Sequence, residues 1–189
     1  MHRAIHLLAR GTAILGAFVL IGLVALTTLS ISGRALNDAL HNPTVDSLLG
    51  GLAQRLLNSG IGEVSGSYEL LEAGVAFAIF CFFPICQLYT GHATVDVFTR
   101  VLPAWATRAL MAFWEVVLTA CLILISVQLF GGLQRYYGNG ETTFFLQFPL
   151  WWAYAASFAA SVVTCVVAVY CAIVRVIESL TGQVVLPRA

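Results

Sequence analysis

The stretch YELLEAGVAFAIFCFFPICQLYTGHATVDVF, from Tyr68 to Phe98, holds the main clue to the fold. It opens on two glutamates, Glu69 and Glu72, and crosses about twenty largely apolar residues, the length that spans a bilayer as a helix. It then reaches Gly91, His92 and Asp96. Polar groups at both ends of one apolar run are expected to hold a spanning helix at two water boundaries. Pro84 lies inside the run and is expected to kink it or loosen a turn.

The rest of the chain repeats the theme. Of its 189 residues, 60% are hydrophobic and 10% charged. A soluble domain carries roughly 25% charged residues, so this composition cannot cover a water-facing surface. The formal net charge is zero, so no excess of basic charge argues for a nucleic-acid binder. Gly11 to Gly33 is an uncharged run between Arg10 and Arg34. It is too long for a signal peptide and has no A-x-A-like cleavage site, so it reads as a retained anchor. Two further runs complete the layout. Four spans are expected, at about 11–33, 73–91, 103–131 and 149–174. Together they make one all-α integral membrane domain over 1–189. Pro103 suits a first helical turn, the Gly131-Gly132 pair suits an end, and TTFFLQFPLWWAY forms an aromatic interfacial collar before the last span.

Two connectors are amphipathic. In VDSLLGGLAQRLL, Leu48, Leu49, Leu52, Leu56 and Leu57 share one helical stripe. In residues 92–102, Val95, Phe98, Val101 and Leu102 do the same, with Asp96 and Arg100 opposite. Short interfacial helices are expected in both. Every basic residue counted by the orientation rule is arginine. Six (Arg3, Arg10, Arg100, Arg108, Arg175, Arg188) fall on the side of the termini and three (Arg34, Arg55, Arg135) on the other. The positive-inside rule then places both termini in the cytoplasm.

Chemistry-bearing groups are few. His92 and Asp96 lack the additional ligands a structural metal site needs. His2, His6 and His41 are not positioned to complete a haem site. A turn at Gly91 and an acid at a surface-helix start explain these residues better. Glu69 and Glu72 share a helix face, but no substrate-binding polar groups adjoin them to make an acid–base pair. A polar helix start, pairing with Arg34 at the same membrane face, is the simpler reading. Glu115 is different. It lies about 10 Å into its span at 1.5 Å per residue, where an ionised acid is costly. It should face protein or water, or stay protonated, with Thr119 a turn on and Gln128 near the same side. A relay reading lacks a second intramembrane acid or base. Gly74 and Ala78, and Ala155, Ala159 and Val163, form small-residue stripes for helix packing. The five cysteines lie in apolar runs without a CxxC pair and read as small buried hydrophobes. No nucleophile, phosphate-loop or HExxH motif is present, and neither enzyme activity nor a cofactor is expected. A four-helix anchor, or a redox or haem-binding subunit of another complex, is the alternative.

The chain resembles the small membrane subunit, DctQ-type, of tripartite ATP-independent periplasmic (TRAP) transporters. The resemblance rests on SGRALN after the first span, GSYELLE opening the second, GHATVDVFTRVLP closing it, and FPLWWAY before the fourth. It implies a scaffold subunit in the bacterial inner membrane, beside a large membrane subunit. That partner would carry out sodium-coupled symport of an organic acid delivered by a periplasmic solute-binding protein. Membrane lipids are the other implied neighbours, and no nucleic acid is. Arg34, Glu69, Glu72, Gly91, His92, Asp96 and Glu115 become candidate structural or partner-contact residues, with no substrate-binding or metal residue among them.

Overall fold

The computed structural model describes residues 2–41, 62, 64–89 and 103–181. Four helices fill almost all of that: α1 (His2–Leu40), α2 (Ser67–Leu88), α3 (Ala104–Asn139) and α4 (Leu150–Thr181). Each is long and apolar enough to cross a membrane. The four-span reading therefore holds. The two expected interfacial helices, and Gly91, His92 and Asp96 with them, lie outside the described residues.

The helix ends differ from the expected ones for local reasons. An apolar run marks what lipid must cover, but intrahelical hydrogen bonds carry a helix on past it. Thus α1 extends on both sides of its apolar core, and α4 extends past the C-terminal end of its own. Gly131-Gly132 does not stop α3. Instead, a Cβ at Gly132 would lie 2.7 Å from the Tyr154 ring of α4, so the glycine serves close packing. The helix stops at Gly140, in the left-handed conformation at φ 66°, with its N–H on the Tyr136 carbonyl. Only glycine takes that conformation without strain.

Pro84 does not break α2, which continues to Leu88. A proline in a helix leaves the carbonyl four residues back without its donor, here that of Phe80. The Thr164 hydroxyl of α4 donates to that oxygen at 2.8 Å. A neighbouring helix thus supplies the bond the proline removed, as membrane interiors require.

The helices pack in the order α1–α2–α4–α3, with a slighter contact between α1 and α4. The α1–α2 seam is close: a Cβ at Gly16 would meet the Cys81 Cβ at 2.7 Å, and Gly74 lies beneath Leu23. The Gly74–Ala78 step works there as read. On α4 the small-residue stripe is not the expected one, for Ala159 is exposed while Ser157, Ala160, Ser161, Thr164, Val167 and Ala168 are buried. The facing stripe of α3 is Ala112, Glu115, Thr119, Leu122 and Ser126, spaced alternately three and four residues apart. Gln128 falls off this stripe and is exposed. The seam is therefore a polar one. Ser126 and Ser161 hydroxyls lie 3.0 Å apart, and the Thr119 hydroxyl donates to the Ala168 carbonyl at 3.3 Å. Lipid offers no hydrophobic drive for helices to associate, so close packing and such bonds do the holding.

Candidate functional site

Two polar centres sit at opposite ends of the bundle. The first lies where α2, α3 and α4 come together near the end of α2. Gln87, 1% exposed, donates its amide Nε2 to Glu115 Oε1 at 2.7 Å, joining α2 to α3. On α4, Arg175 Nη1 donates to Glu178 Oε2 at 2.9 Å, with both side chains buried. The Arg175 guanidinium also attracts the Glu115 carboxylate. Glu115 therefore has a hydrogen-bond donor and a nearby cation within its own chain. That cation comes from α4, not from the α3 residue Arg108, which lies beside the Arg175–Glu178 pair. Charged groups survive at such depth only when paired and hydrogen-bonded, and this cluster meets that condition.

The second centre is at the start of α2. The loop from α3 to α4 closes on itself. Thr143 N–H bonds to the Phe148 carbonyl, Leu150 N–H to the Glu141 carbonyl, and Thr142 bridges to Pro149. Glu69 clamps this loop to α2: its two carboxylate oxygens accept the Phe145 and Leu146 N–H groups at 2.7 and 3.0 Å. The clamp holds out the exposed rings of Phe144 and Phe145, the aromatic collar of the sequence reading. Glu72, a turn further, lines a cavity of about 400 Å³ that also meets Thr142, Tyr154 and Ser157. Arg34 is elsewhere, lining a separate cavity of about 250 Å³ with Ser30 and Ser67. The hydroxyls of Ser30 and Ser67 lie 3.3 Å apart and tie α1 to α2.

Of the residues singled out from sequence, the structure thus brings Glu69 and Glu72 to one cavity, Arg34 to another, and Glu115 to the far polar cluster. Gln87, Arg175 and Glu178 went unnoticed as site residues. The Arg175-x-x-Glu178 spacing is a legible helical ion pair. Gln87 gives no such signal, because its partner is 28 residues away. Among the described residues, neither centre hydrogen-bonds a nucleophile to a base. Among the described residues no three His, Cys, Asp or Glu side chains gather as a metal site would require. The cysteines are free and scattered. Cys81 and Cys171 are buried as expected, whereas Cys121 is exposed on α3.

Residues 52–179 match the family model for tripartite ATP-independent periplasmic transporters, DctQ component. The match takes in α2, α3 and nearly all of α4, and it begins after α1, so the SGRALN motif lies outside it. No curated protein and no solved structure matches the chain. Because the family model covers well over half of the 189 residues, this multi-pass membrane protein belongs to the DctQ family of TRAP transporter components.

Proposed function

We infer that the chain is the fixed small subunit of a TRAP transporter, bracing a large membrane subunit that moves the solute. The supporting observation is how its buried polar groups are used. Among the described residues, no buried side-chain nitrogen or oxygen lacks a hydrogen-bond partner. A solute or ion site would leave some such groups waiting for a ligand. Here Ser30–Ser67, Gln87–Glu115, Thr119–Ala168, Ser126–Ser161 and Thr164–Phe80 bind helix to helix, which is what a scaffold needs. The transported solute is then an organic acid, taken up by sodium symport and delivered by a periplasmic binding protein. Its contacts lie in those other chains. Arg34, Glu69, Glu72, Gly91, His92, Asp96 and Glu115 serve this chain's own structure or its contact with the large subunit.

The open order α1–α2–α4–α3 leaves much of α3 uncovered, including Phe113, Trp114, Leu124 and Val127. A mid-helix face this large and apolar suits lipid or a partner's helices. Affinity purification in mild detergent is expected to recover a large multi-span protein in equal amount. Recovery of this chain alone, from membranes that hold the partner, would sink the reading.

The orientation proposed from arginine has both termini in the cytoplasm of the bacterial inner membrane. Single cysteines at Asn139 and Thr181, both exposed at helix ends, report it in a cysteine-free background. An impermeant thiol reagent applied from the periplasmic side should label Asn139→Cys at once and Thr181→Cys only after lysis. The reverse pattern would invert the topology.

A further inference from the structure

A cleft of about 460 Å³ lies between the first turns of α1 and the last turn of α2. From α1, Arg3, His6 and Arg10 line it. Spacings of three and four put them on one helix face. From α2, Ile85 and Leu88 supply an apolar floor, and Tyr89 closes the end with its ring 5.9 Å from that of His6. The floor is fixed. Leu88 and Ala9 belong to a buried cluster with Val167 and Cys171 of α4, so the cleft does not depend on a mobile wall.

Its charge is one-sided. Among the described residues, no acidic side chain lines it. Arg3 and Arg10 are exposed and form no ion pair among the described residues. Seven residues separate them, about 10 Å along the axis at 1.5 Å per residue. Arg10 directly precedes the uncharged run that begins at Gly11, so the guanidinium pair straddles the depth of phospholipid headgroups. Two arginines alone at that depth would be ordinary snorkelling residues. Two arginines facing a preformed cleft with an apolar floor are a different arrangement. Basic clefts between spanning helices bind anionic headgroups, and a guanidinium matches phosphate oxygens in two-pronged hydrogen bonds.

We propose that this cleft is a binding site for an anionic phospholipid, with its phosphate between Arg3 and Arg10 and an acyl chain along Ile85. The site would tie the α1–α2 pair to one leaflet. It stands independently of the solute and of the transport reaction.

Native mass spectrometry of the full chain, released from nanodiscs, tests the assignment. The probes are dioleoyl phosphatidylglycerol, dioleoyl phosphatidylcholine and inorganic phosphate. Wild-type protein should retain phosphatidylglycerol in preference to phosphatidylcholine, and millimolar phosphate should not displace it. Arg3→Gln and Arg10→Gln should each weaken retention about 5-fold, and the double variant on the order of 25-fold, from the usual worth of one basic residue near an anionic surface. Because these changes also touch topology signals, Ile85→Trp serves as a second variant. It fills the cleft, leaves every charge in place, and should lower retention as well. Equal retention of both lipids would overturn the proposal, as would displacement by phosphate. Undiminished retention in the double Gln variant or in Ile85→Trp would place the lipid elsewhere and overturn it too.

Discussion

Arg175→Met is expected to destabilise the helix bundle by about 3–5 kcal/mol, the usual penalty for leaving one member of a buried ion pair behind. The group left behind is Glu178, 3% exposed, whose carboxylate loses the Arg175 N–H that it now takes at 2.9 Å. Glu115 loses an attracting cation at the same time. The double variant Arg175→Met/Glu178→Leu removes both charges and should recover most of the loss, since an apolar pair of similar volume replaces a buried salt bridge at little or no penalty. Denaturation of the purified chain in mixed micelles, followed by loss of helicity, measures both. A change below about 1 kcal/mol in the single variant, the range of exposed pairs, would show that the pair is hydrated and not structural.

The second large effect concerns Glu115. Glu115→Leu removes the carboxylate oxygen that the buried Gln87 amide donates to and should weaken the α2–α3 contact by about 1–3 kcal/mol. Glu115→Gln retains a carbonyl oxygen at the same reach and should keep both assembly and most uptake. The asymmetry between these variants is the informative result. Should Glu115→Gln abolish ion-coupled uptake while the complex stays intact, the carboxylate takes part in coupling, and its role as a bracing hydrogen bond is wrong.

Much of the fold was legible in the residues, and the reason is physical. Lipid imposes a length on each apolar run, and four such runs stand out against the few charges. Rotation of each helix about its axis was less legible. Composition pointed to Ala155 and Ala159 on α4, yet the buried seam is offset and uses Ser157, Ser161 and Thr164. A serine or threonine there packs as closely as alanine and adds a hydrogen bond, which an apolarity pattern does not register. Pro84 signalled a disturbance, but the Thr164 hydroxyl that compensates for it comes from another helix. Glu69 was read as a polar helix start, whereas its carboxylate meets Phe145 and Leu146, more than seventy residues on. The depth of Glu115 was visible from its position in the run. Its donor was not, because local spacing says nothing about which glutamine a neighbouring helix will present.

The central claim is that this chain braces a transporter without choosing its solute. Uptake into proteoliposomes tests it most directly, with the large subunit and binding protein held constant and this chain omitted, restored, or exchanged for a compatible relative from a transporter of different specificity. Uptake driven by a sodium gradient should vanish on omission and return on restoration. With the exchanged subunit the solute preference should stay that of the large subunit and binding protein. Uptake that survives omission, or a preference that follows the exchanged chain, would contradict the account.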